Sequence, residues 1–119
     1  MSAPDVVIFH NPNCSTSRKA VALVQEAGHT PKVVEYLKAG WSAEQLRELF
    51  AAMGMTAREA LRTKGAQAAE LGLLEPGVSE EQIVAAMVAH PILVERPIVA
   101  TPKGVRLGRP LERVLEVLP

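Results

Sequence analysis

The chain has 119 residues, 48% of them apolar, with thirteen basic and thirteen acidic side chains and a single cysteine. That length supports one domain with one core, burying roughly two-thirds of the surface an unfolded chain exposes, and one cysteine excludes both a disulfide scaffold and a Cys-rich zinc site. Zero net charge with an isoelectric point near 6.8 argues against a nucleic-acid partner, and neither a membrane-spanning run nor a signal peptide is visible, so a soluble cytoplasmic protein is expected.

In chain order, Val6 to His10 is a short β-branched apolar run stopped by Asn11-Pro12, the pattern of a buried strand ending in a turn. The following segment, Ser15 to Gly28, carries Ala20, Leu23, Val24 and Ala27 at helical spacing, with Gly28 as a stop. Lys32 to Tyr36 then reads as a second strand, which completes a βαβ unit. Across residues 42–90 the sequence predicts helices. Ser42 with Gln45, Thr56 with Glu59 and Ser79 with Gln82 are three capping boxes. The first opens a helix with Leu46, Leu49, Phe50 and Met53 on one face and Gly54 at its end. The second opens a short helix through Arg62, and the third a helix with Ile83, Val84, Met87 and Val88 inward that stops at His90-Pro91. Pro97 to Thr101 and Val105 to Leu107 form a hairpin around Pro-Lys-Gly, and Leu111 to Leu118 closes the chain as a helix with Leu111, Val114, Leu115 and Leu118 inward. The order is β-α-β, a helical insertion, then β-β-α. This is an α/β fold with a four-stranded mixed sheet and flanking helices, a single domain over 1–119.

Charge is unevenly shared. Residues 41–95 carry four basic and eight acidic side chains, residues 96–119 five and two. A cationic C-terminal segment of that size suits a small anion rather than a polyanion.

Cys14 is the strongest site candidate, because it falls where the first turn passes into the first helix. Unpaired amides and the positive dipole end there stabilise a thiolate and also receive an oxyanion. Ser15, Thr16 and Ser17 add hydroxyl donors in the first turn, and Arg18 adds a charge. His10, four residues before Cys14, either tunes the thiol and organises the loop or is a strand-end histidine satisfied by the backbone. Three scattered histidines and one cysteine make no metal site. Arg62, Arg96 and Arg109 are candidate oxyanion ligands, since guanidinium forks match two oxygens, whereas Arg106 inside a strand points to solvent. The sixth position after Cys14 is Ala20, which excludes a Cys-x5-Arg phosphatase loop, and Ser17 at the third position excludes Cys-x-x-Cys chemistry.

The string HNPNCSTSRKA, with LRTK at 61–64, LGL at 71–73 and HPILVERPIVATPKGVRLGRP at 90–110, resembles the glutaredoxin-coupled arsenate reductase family over essentially the whole chain. The resemblance implies a thioredoxin-like fold with a helical insertion between the second and third strands and a cis Arg96–Pro97 bond. It implies Cys14 as the nucleophile towards arsenate, His10 and Ser17 as supports of the thiolate, and Arg62, Arg96 and Arg109 as the functional arginines. Glutathione would enter as co-substrate and glutaredoxin would resolve the mixed disulfide, with no cofactor bound. The chain departs from the plasmid-encoded reductases in having Ser15 where a glycine often stands, and in stopping at Pro119, short of their C-terminal extension. Two other functions fit the same fold: general glutathione-dependent thiol transfer, and a non-catalytic regulator that docks on RNA polymerase through its acidic helical insertion.

Overall fold

The computed structural model describes residues 6–119; residues 1–5 of the expected single domain lie outside the described residues. The chain divides into two compact units, residues 1–39 with 96–119, and residues 40–95.

The first unit holds the sheet. Four-residue strands β1 (Val7–His10), β2 (Lys32–Glu35), β3 (Ile98–Thr101) and β4 (Gly104–Leu107) lie in the order β2-β1-β3-β4. β1 runs parallel to β2 and antiparallel to β3, and β3 to β4, so the sheet is mixed as expected. The parallel pair needs a crossover, supplied by helix α1 (Ser15–Glu26). Ala20 and Val24 of α1 are buried with Val6, Ile8 and Val99, and this is where the unit's core sits. Ala27, expected inward, is exposed because α1 ends before it. The second strand stops one residue early: Tyr36 starts a one-turn helix, α2 (Tyr36–Ala39), and is itself buried.

The C-terminal segment corrects a helical expectation. Leu111–Glu116 is a 3-10 helix, not an α-helix. With three residues per turn, positions 111, 114 and 117 share a face. Val114 and Val117 are therefore buried and Leu111 packs against the same core, while Leu115, expected inward, is 51% exposed. Between β4 and this segment, Gly108 sits where a side chain has no room. A Cβ there would lie 2.9 Å from Pro97 Cγ and 3.1 Å from Val114 Cγ2.

The second unit, residues 40–95, is helical and contains the segment of about 42–90 expected as the insertion. Helix α3 (Ala43–Met53) is capped by Ser42, whose side chain accepts the Gln45 amide, and ends at Gly54 in the left-handed region at φ 67°. The full reciprocal capping box forms at Thr56/Glu59 and at Ser79/Gln82, which open α4 (Ala57–Ala60) and α6 (Glu80–Ala89). α4 does not continue through Arg62 as expected. Leu61 turns extended and bridges antiparallel to Val94, with the Arg62 amide donating to Leu93 O at 2.7 Å and the Glu95 amide to Ala60 O at 2.9 Å. A short helix the sequence reading missed, α5 (Gln67–Glu70), follows. α3 and α4 pack on α6 around Leu46, Ile83 and Met87, all fully buried, whereas Val88, expected inward, is 38% exposed. The Glu80 carboxylate caps α4 by accepting the Ala57 and Arg58 amides at 2.6 and 3.2 Å. Among the described residues, no helix is long and apolar enough to cross a membrane.

Candidate active site

The site is built by three chain segments of the first unit that end close together. β1 delivers His10 and the loop Asn11–Asn13; α1 begins at the Cys14 N-cap; and β3 and β4 are flanked by Arg96 and Arg109. Cys14 has extended backbone, φ −102° and ψ 121°, as an N-cap requires, and its carbonyl accepts the Arg18 amide at 3.0 Å to open the helix. The residue is 8% exposed, so the sulfur is largely withdrawn from the surface.

Two guanidinium groups converge on that sulfur. Arg109 donates from Nε to Arg96 O at 2.8 Å and from Nη2 to Cys14 Sγ at 3.5 Å. Arg96 is 7% exposed and its guanidinium acts on the sulfur in the direction of the thiolate, while its Nε and Nη1 are buried without hydrogen-bond partners. Buried unpaired donors cost about 1–3 kcal/mol each. A tetrahedral oxyanion on this side of the sulfur would accept from both. Burial by itself pushes the Cys14 thiol up, but the Arg96 hydrogen bond, the Ser17 amide, the Arg96 charge and the Thr16 amide together outweigh it. The net result holds Cys14 below the ordinary thiol range, in the direction a nucleophile needs. The Arg96–Pro97 bond is cis, in line with the expectation, and Arg109–Pro110 is cis as well, which the sequence reading did not anticipate.

His10 and Ser17 form a second layer. His10 Nδ1 and Ser17 Oγ are 2.7 Å apart, and the Asn11 amide donates to the same Oγ at 3.0 Å. Burial, assisted by Arg18 and opposed by Glu35, lowers the His10 pKa and keeps the imidazole neutral. The Ser17 hydroxyl is thus engaged away from Cys14, and Ser17 serves the sulfur through its amide. The same holds for Thr16, half-buried, whose amide reaches the sulfur; Ser15 is exposed. The first turn therefore supplies amides rather than the expected row of hydroxyls. Arg18 braces the loop from outside by donating to Pro12 O at 2.7 Å, and Arg106 pairs with Glu116 at 2.9 Å on an exposed edge.

Arg62 belongs to the helical unit, where its guanidinium pairs with Glu95 at 3.0 Å with both side chains about one-fifth exposed. It lines a cavity of about 180 Å³ with Gly65, Ala66, Gln67, Ile92 and Leu93. A larger cavity of about 340 Å³ in the same unit lies among Arg47, Phe50, Met55 and Val84. Among the described residues, no three His, Cys, Asp or Glu side chains come together as a metal-binding group. One residue missed by sequence reasoning is Asn11, a polar side chain only 2% exposed in the middle of the loop. Its signal in the sequence is the Asn11-Pro12 pair, which marks the turn after the first strand.

A sequence model of the ArsC family matches residues 9–117. The chain belongs to the ArsC family. It is 58% identical to the arsenate reductase ArsI2 of Synechocystis over 113 residues, which is 95% of this chain and 81% of that protein. It is 51% identical to an arsenate reductase of Rhizobium meliloti, over 96% of this chain and 81% of the relative. The solved arsenate reductase of Vibrio cholerae superposes with a TM-score of 0.92 at 42% identity, covering 98% of this chain and all of that one. The fold of this ArsC-family chain is accordingly the thioredoxin-like one, with its four-stranded mixed sheet and flanking helices.

Proposed function

We propose that this chain is an arsenate reductase in which Cys14 is the nucleophile and glutathione and glutaredoxin supply the remaining thiols. The observation that carries the reading is the buried Arg96, whose Nε and Nη1 lack acceptors beside a sulfur already held by Arg109. Plain thiol–disulfide exchange needs a reactive sulfur but no cradle for an oxyanion, so these donors favour arsenate over general thiol transfer. A docking regulator with an inert cysteine needs neither. The names of the Synechocystis and Rhizobium relatives point to the same substrate.

In this mechanism arsenate enters with its oxygens on Arg96, Arg109 and the amides of Thr16 and Ser17. Cys14 Sγ attacks arsenic, an S–As bond forms, and one arsenate oxygen leaves as water after taking up two protons. Glutathione attacks the adduct, and glutaredoxin resolves the resulting mixed disulfide. Two thiols end as a disulfide and supply the two electrons that take arsenic from +5 to +3, releasing arsenite. Because the chain has one cysteine, no internal thiol can do this resolving. The resemblance implies Arg62 as a third functional arginine, and Ser15 and Thr16 are assigned to the rim of the site. The groups facing the anion are N–H donors, which suit an oxyanion. The test is arsenite formation by purified protein with arsenate, glutathione, glutaredoxin and its recycling system. Arsenite no higher than that of a Cys14→Ser control would overturn the reading.

A further inference from the structure

Asn11 is the most buried polar side chain of the loop, and every polar link it makes is within the loop or to the first turn of α1. Its Oδ1 accepts the Asn13 amide at 3.0 Å, its carbonyl accepts the Cys14 amide at 3.0 Å, and its own amide donates to Ser17 Oγ at 3.0 Å. Pro12 has no amide hydrogen. The two amide donors between residues 11 and 14 are therefore both turned back onto one residue. That same residue reaches forward over the Cys14 position to pin Ser17, whose hydroxyl is in turn fixed by His10 at 2.7 Å.

The consequence is a sorting of donors. Amides N-terminal to Sγ are consumed by Asn11, and those of Thr16 and Ser17 remain to face the sulfur. We propose that Asn11 is a positioning residue, whose side-chain oxygen folds the loop back at Asn13 and so places its own main-chain carbonyl and amide on Cys14 and Ser17, letting the α1 amides and the two arginines address Cys14 Sγ in one geometry. A neutral amide side chain suits this role. Its oxygen closes the Asx turn as well as a carboxylate would, without placing a negative charge beside a thiolate. The buried, unpartnered donors of Arg96 mark the spot this geometry serves.

The inference rests on the reading of Cys14 as the nucleophile, but its test uses iodoacetamide and needs no arsenate, so a chain inert towards arsenate passes or fails it separately. In Asn11→Ala, Cys14 alkylation at pH 6 is expected to slow at least about threefold, because less of the thiol is ionised. At pH 10, where the thiolate is fully formed, the rate is expected to match that of the unaltered protein. Asn11→Ser keeps a side-chain acceptor for the Asn13 amide and is expected to recover most of the low-pH rate. A low-pH rate unchanged in Asn11→Ala, a loss equal at both pH values, or an Asn11→Ser variant no better than Asn11→Ala overturns the proposal. Should Asn11→Ala not fold, amide hydrogen exchange on the unaltered protein decides. The Asn13 and Cys14 amides are expected to be protected well beyond the exposed Ser15, and exchange of Asn13 at the free-chain rate overturns the assignment.

Discussion

Replacing Arg96 with methionine separates what the guanidinium does for the fold from what it does for the site. Arg96 Nε and Nη1 are buried without acceptors, and each such donor costs about 1–3 kcal/mol, so together they hold back about 2–6 kcal/mol. Against that stands the hydrogen bond to Cys14, worth about 1.5–3 kcal/mol when the sulfur is charged. Methionine fills similar volume without buried donors. Arg96→Met is therefore expected to lie between about 1 kcal/mol less stable and about 4.5 kcal/mol more stable than the unaltered chain, read from urea unfolding with the slope unchanged. Function moves the other way. Losing two charge-assisted hydrogen bonds to the anion removes about 3–6 kcal/mol, which is about two to four orders of magnitude in kcat/KM for arsenate. Arsenate at a hundredfold excess over its dissociation constant is expected to stabilise the unaltered protein by about 2.7 kcal/mol and, at that same concentration, to leave Arg96→Met unmoved. A variant that is several kcal/mol less stable yet still protected by arsenate would refute the assignment of those donors to the anion.

Four further outcomes follow from the same geometry. Arg109→Lys retains the charge but cannot donate to both Arg96 O and Cys14 Sγ, so arsenate turnover is expected to fall about tenfold or more with stability nearly unchanged, by steady-state kinetics and thermal melting. Gly108→Ala forces Pro97 and Val114 apart and is expected to cost about 1–3 kcal/mol in urea unfolding while also weakening arsenate protection, since Pro97 adjoins Arg96 and Gly108 adjoins Arg109. His10 takes up a proton less readily folded than unfolded, so its contribution is complete above about pH 6.5 and is lost as pH falls through that value towards the lower folded one. Stability measured against pH is expected to slope downward there, and His10→Ala to flatten the slope. Thr56→Ala and Ser79→Ala each remove a capping box and are expected to cost about 1 kcal/mol, with the Cys14 alkylation rate unaltered.

The parts of the fold that were legible carry their cause within a few residues. Thr56/Glu59 and Ser79/Gln82 are reciprocal side chain–backbone pairs three positions apart, and the helices they open begin where the pattern says. Val7–His10 stops at Asn11-Pro12 because proline offers no amide to the ladder. Where the reading went astray, the deciding force came from farther away. Leu61 leaves its helix because Val94, thirty-three residues on, offers a bridge. Leu111–Leu118 has a hydrophobic pattern compatible with periods of 3.0 and 3.6, and packing on β1 and α1 selects the former. In the site, Cys14 and its helix start were readable locally. The Arg109–Cys14 contact joins residues ninety-five positions apart, and no local pattern shows it; there the resemblance of the sequence motifs supplied what spacing lacked.

A neutral chain can still build an anion site because the field at the sulfur is set locally. The unit containing Cys14 has nine basic and five acidic residues, the helical unit four and eight, and the totals cancel only in the whole chain. Most of those basic side chains are exposed and screened within about 10 Å at ordinary salt. Arg96 differs in being buried, where a charge is costly to hold and acts strongly on its neighbours. Its donors are not spent on a carboxylate, in contrast to Arg62 on Glu95 and Arg106 on Glu116. An ion pair at Arg96 would make the fold easier to stabilise and the site useless for an incoming oxyanion. Under the proposed function the unspent donors tie the chain's stability to its chemistry: a bound oxyanion would supply the acceptor they lack, and binding it would relieve a cost that the folded protein otherwise bears.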